Sequence, residues 1–83
     1  MDEQLHQARE EINGIDHDLV KLLEKRFEAV NAVYEYKRRH QTPVLDQSRQ
    51  QQVLDQVGRQ VTDSKSVPYL QAIFTEIMHQ SRL

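Results

Sequence analysis

The sequence predicts an all-α chain of three helices, one long and two shorter, and three observations carry that prediction. From residue 5 to residue 36 the positions 5, 8, 12, 15, 19, 22, 26, 29, 33 and 36 advance by alternating steps of three and four and are nearly all apolar. No stretch alternates apolar and polar residues as a half-buried strand does. Pro43, Gly58 and Pro68 punctuate the remainder into short helical segments.

The first helix is expected over about residues 3–40. Its seam reads Leu5, Ala8, Ile12, Ile15, Leu19, Leu22, Arg26, Ala29, Val33, Tyr36, and Val20, Leu23, Val30 and Ala32 widen it beyond a two-stranded stripe. Gly14 is its weak point, costing about 1 kcal/mol relative to alanine. The helix should stop before Thr42-Pro43, because the residue ahead of a proline is pushed out of helical geometry. Asp46 then offers an N-cap for a second helix, about 46–58, which carries Val53, Leu54 and Val57 inward and is expected to end near Gly58, whose tolerance of positive φ suits a C-terminal cap. Residues 61–65 read as a polar loop. The third helix, about 66–82, accepts Pro68 in its first turn and should bury Leu70, Ile73, Phe74, Ile77 and Met78. Together these form one expected domain over residues 1–83.

Length turns this into a prediction about assembly. A helix of that size spans roughly 55 Å, whereas a compact chain of 83 residues has a radius of gyration of about 12 Å. The seam of such a rod would stand in water unless another chain covered it. Two antiparallel copies exchanging the helix would cover it, so the expected assembly is an intertwined, helix-exchanged homodimer. The absence of cysteine removes disulfides and thiolate zinc sites as other sources of stability.

Composition excludes several function classes. Eleven Lys plus Arg against thirteen Asp plus Glu give a net charge of -2, which argues against nucleic-acid phosphate as the main partner. The start MDEQLHQAREE is too acidic and polar for a signal peptide, and no apolar run approaches a membrane span, so a soluble cytoplasmic protein is expected. His6, His17, His40 and His79 show no three- or four-residue spacing, so no metal is expected.

Positive charge nevertheless gathers locally, in YKRRHQTPVLDQSRQ over 36–50. Arg26 breaks an otherwise apolar seam; a snorkelling side chain is the plain explanation. Lys37, eleven residues on, lies about 20° off the same face and roughly 16 Å up the axis, so the two cations could converge on one small anion. Ser81 places a hydroxyl where the stripe Leu70, Phe74, Ile77 would continue. Arg9 is about 25 Å from Arg26 along the rod and about 100° around it. Within one chain they cannot share a small molecule, but in an antiparallel dimer the partner's Arg9 can. Two arginines and a lysine between apolar helices suit a compact dicarboxylate.

These residues resemble the all-helical chorismate mutases of the AroQ class. The likeness runs through REEINGIDHDLVKLLEKR at 9–26, VYEYK at 33–37 and PVLDQSRQ at 43–50 to the helix ending in Ser81. It implies a three-helix intertwined dimer with two shared active sites, and rearrangement of chorismate to prephenate on the way to phenylalanine and tyrosine, with no cofactor. It also implies roles. Arg9 of the partner chain and Arg26 grip the two carboxylates, Lys37 donates to the ether oxygen, Asp46 and its neighbouring backbone meet the ring hydroxyl, and Ser81 assists at a carboxylate. Arg49 supports the wall. Gln50 stands where the family usually has glutamate and keeps the hydrogen bond without the charge. The glutamine usually found one turn beyond Ser81 would fall past Leu83. Isochorismate-pyruvate lyases share the fold, but a carboxylate and an amide at 46 and 50 favour the mutase. A non-catalytic helical dimerisation module explains the seam, though not Arg26, Lys37 and Ser81 together.

Overall fold

The structure, a computed structural model, describes residues 2–42 and 47–82. Among these the chain is all helical: α1 spans Asp2–Arg39, α2 Gln47–Gln60 and α3 Val67–Ser81, with a single 3-10 turn at Ser64–Ser66 between the last two. Packing divides the chain into two compact units, Met1–Ala32 and Val33–Leu83. Among the described residues no helix is long and apolar enough to cross a membrane.

The first unit is helix alone. Val30 is buried, Leu23 and Arg26 are half-buried, and the other described residues up to 32 are exposed. The expected seam is therefore the surface of the single chain: Leu5, Ile12, Ile15, Leu19 and Leu22 keep 49–59 % of their area open. At Gly14 an added Cβ would meet no atom within 4 Å. Within the single chain the glycine thus costs helix propensity with no packing gain, and Gly14→Ala is expected to stabilise the protein by about 1 kcal/mol. The check is a higher urea midpoint at unchanged m-value.

In the second unit α1 ends by a left-handed reversal. Gln41 has φ 55°, and the Thr42 amide donates back to the Lys37 carbonyl at 3.0 Å, which satisfies one of the carbonyls that a helix end leaves open. Lys37, Arg38 and Arg39 occupy the last turn, where cations meet the negative end of the helix dipole. Part of the positive cluster thus has a local structural cause. The turn at Gln41 lies two residues before Pro43; Pro43 and the expected cap Asp46 lie outside the described residues.

The helices α2 and α3 pack on each other around Val57 and Met78, which are 8 % and 3 % exposed. Val53, Leu54, Leu70, Phe74 and Ile77 are half-buried as their spacing predicts, whereas Ile73 is 53 % exposed. Gly58 is a correction. It does not end α2, which continues to Gln60, and no described glycine has positive φ. Its role is close approach: a Cβ there would stand 3.0 Å from Nε2 of Gln71, whose side chain donates to the Leu54 carbonyl at 3.1 Å. After Gln60, Asp63 accepts from the Lys65 amide at 3.0 Å and starts the 3-10 turn, and Pro68 follows in the first turn of α3, where a missing N–H costs nothing.

Candidate active site

Lys37 differs from its cationic neighbours in burial. Arg38 pairs with Glu35 at 2.8 Å, both exposed, and Arg39 donates to the Glu35 carbonyl at 3.4 Å. That hydrogen bond from Arg38, with its charge, holds the Glu35 carboxyl below its ordinary pKa. A pair so open to water is worth little, and what it adds is present at neutral pH and fades as pH falls through the lowered value. Lys37 alone of this basic run is half-buried. It shares that state with Tyr34, one turn earlier, while the other described residues from 33 to 42 are exposed. Lys37 is thus the one cation of the run with part of its surface covered by protein.

Arg26 is half-buried in the first unit, on the face that carries Leu23 and Val30. Arg9 lies in the same helix and is exposed.

Ser81 is half-buried in the last turn of α3, and its hydroxyl donates to the Ile77 carbonyl at 2.8 Å, with the Met78 carbonyl at 3.5 Å. To donate to a bound carboxylate it would exchange that backbone bond, which costs little because the Ile77 carbonyl lies within the helix ladder. The end of α3 is held from α1. The Tyr34 hydroxyl donates to the carbonyls of Ser81 and Arg82, each at 3.0 Å. Sequence reasoning missed Tyr34, which sits between the seam residues Val33 and Tyr36; an aromatic hydroxyl at the edge of an apolar stripe was the available signal, because such a group seeks a polar partner when covered.

Gln50 is half-buried and lines a depression of about 300 Å³ with Leu54, Thr75, Met78 and His79. Arg49, one residue earlier, is exposed and donates to Gln52 Oε1 at 2.7 Å, along its own helix. A second depression of about 370 Å³, beside Val57, Asp63 and Phe74, is lined by none of the expected site residues. Lys37, Gln50 and Ser81 thus belong to the second unit, and Arg9 and Arg26 to the first. Neither depression is lined by Lys37 or Ser81. Asp46 falls outside the described residues.

Fold and side chains define a class: a small all-helical protein whose long helix bears an open apolar stripe and a few partly covered cations. The chain matches chorismate mutase type II over residues 8–83 and belongs to that family. Membership carries a chorismate mutase-type function at the family level. The chain matches no curated protein and no solved structure.

Proposed function

We propose that this protein is a chorismate mutase, catalysing the pericyclic rearrangement of chorismate to prephenate in the cytoplasm, on the route to phenylalanine and tyrosine. The observation that carries the reading is the family match across residues 8–83. The half-buried state of Arg26, Lys37, Gln50 and Ser81, among mostly exposed neighbours, supports it.

The reaction is concerted: one carbon–oxygen bond breaks as one carbon–carbon bond forms, so it calls for no nucleophile, metal or redox group. Catalysis then has two sources. One is holding the flexible diacid in its folded, reactive conformation, and the other is stabilising the charge that grows on the ether oxygen. A millionfold acceleration corresponds to roughly 8 kcal/mol. In this reading the partner's Arg9 and Arg26 bind the two carboxylates, with Ser81 assisting at one of them. Asp46 and Gln50 meet the ring hydroxyl. Lys37 donates to the ether oxygen, and its contact is the one that strengthens toward the transition state.

The working form is a homodimer in which the long helices of two copies are exchanged, and residues 1–83 make one domain closed by the second copy. Support comes from the open seam. Covering what remains exposed of Leu5, Ile12, Ile15, Leu19 and Leu22 would stabilise by about 1 kcal/mol each. Such a cover would also bring a second Arg9 to an apolar, water-poor surface. An ultraviolet assay of chorismate loss, with the product identified, tests the reading. Prephenate is the expected product. Salicylate and pyruvate from isochorismate would assign the chain to the lyases instead, and no turnover of either would leave a helical dimerisation module.

A further inference from the structure

We infer that Tyr34 is a positioning residue of the active site, setting where Ser81 stands relative to Lys37. The inference rests on the mutase reading above and extends it to a residue outside the expected set. Its basis lies wholly within the unit Val33–Leu83.

The end of a helix is the part of it least able to hold a side chain in place. The last carbonyls lack intrahelical partners, and terminal residues open locally at almost no cost. Ser81 is the last residue of α3. Arg82 follows in the left-handed conformation, φ 60°, and its amide returns to the Met78 carbonyl, which closes the helix on itself. Tyr34 adds a tie from outside the helix. Its one hydroxyl proton is shared between the carbonyls of Ser81 and Arg82, each 3.0 Å away and 47 and 48 residues distant in sequence. The bond to Ser81 is partly buried, so water competes for it less than for an exposed one.

The same residue is tied to the lysine by helical spacing. Tyr34 and Lys37 lie three apart on α1 and are its two half-buried positions between 33 and 39. A phenol ring is rigid, with two side-chain torsions, so a hydroxyl at its tip transmits the position of the α1 backbone with little slack. One hydrogen-bonded side chain therefore joins the helix that carries the proposed ether-oxygen donor to the helix end that carries the proposed carboxylate donor. In this role Tyr34 need not touch substrate itself. It acts by keeping Ser81 in register, so its effect should pass through Ser81 and be felt in substrate binding rather than in the chemical step.

Tyr34→Phe removes the hydroxyl and keeps the ring. In the full chain it should raise the KM for chorismate roughly three- to tenfold, the scale of one weakened hydrogen bond to a charged group, with kcat close to that of the unmodified protein. Ser81→Ala should do much the same, and the double variant should be no worse than Ser81→Ala alone, since a residue acting through another loses its effect once that other is gone. A merely structural tyrosine would lower the melting temperature, leave KM unmoved and combine additively with Ser81→Ala; that outcome overturns the inference. Amide hydrogen exchange supplies a readout independent of turnover: at Ser81 and Arg82 it should accelerate in Tyr34→Phe relative to residues around Phe74, and unchanged rates would equally overturn it. If the unmodified protein fails to convert chorismate, the mutase reading falls and takes this role with it. Conversion by the unmodified protein together with an unaltered KM in Tyr34→Phe removes the inference alone.

Discussion

Lys37→Ala is expected to lower kcat for chorismate by roughly two to three orders of magnitude while KM changes little, the effect of removing one donor from a developing oxyanion. The reasoning starts from where the charge appears. The substrate carboxylates are negative throughout, so groups bound to them stabilise ground state and transition state alike, whereas the ether oxygen gains charge only as its bond lengthens. A donor at that oxygen therefore acts on kcat. Lys37 is suited to this because it is half-buried, whereas its neighbours Arg38 and Arg39 are exposed. The backbone of α1 does not depend on its side chain: the Lys37 carbonyl, which receives the Thr42 amide at 3.0 Å, is present in any residue. Circular dichroism should consequently show an intact fold. A variant of near-normal turnover would take this role from Lys37.

Arg26→Ala is expected to reduce kcat/KM by about two orders of magnitude or more: in the proposed role Arg26 pairs with a substrate carboxylate, and truncating one partner of a water-poor, hydrogen-bonded ion pair costs about 2–5 kcal/mol. Most of the loss should fall on KM. Arg26→Lys should recover only part of it, because an ammonium cannot match both carboxylate oxygens as the guanidinium fork does. The alternative, an arginine that merely snorkels from an apolar face, predicts the opposite pattern. In that case alanine at 26 would leave activity unaltered and could even add stability, as a charge leaves a partly covered position. Steady-state kinetics on the two variants, with melting temperatures alongside, separate the two accounts.

The helices were legible in the sequence wherever a period of about 3.6 ran long enough to define a face. The expected span 3–40 compares with the observed Asp2–Arg39, and 66–82 with Val67–Ser81. What failed were inferences from one residue's local preference. Gly58 has the conformational freedom of a cap, but its use depends on a side chain of α3, Gln71, crossing α2 at that point, and no local window contains that information. Ile73 is a separate case: it fits the apolar spacing of α3 and is 53 % exposed in the single chain, because spacing defines a face without stating how wide a neighbour covers it.

The site was legible to a different degree. Arg26, Lys37 and Ser81 stood out as polar groups on apolar stripes, and each is half-buried in the structure. Arg9 carries no such sign: it is exposed, and its proposed role exists only in the presence of a second copy. Tyr34 is a different case: its hydroxyl at the edge of the apolar stripe signals that it seeks a partner, but the partners, carbonyls 47 and 48 residues away, are set by tertiary packing that leaves no periodic trace.

A shared site makes a prediction that no single-chain site can. In the proposed dimer, Arg9→Ala and Lys37→Ala proteins should each be nearly inactive, since every site in the first would lack the borrowed arginine and every site in the second its own lysine. Mixing equal amounts under conditions where subunits exchange should restore activity to about a quarter of the unmodified level, because half of the dimers are then mixed and each holds one complete site. That recovery is the result expected if cations of two intertwined chains fold the diacid between them. No recovery, with exchange demonstrated by mass-labelled subunits, would contradict it.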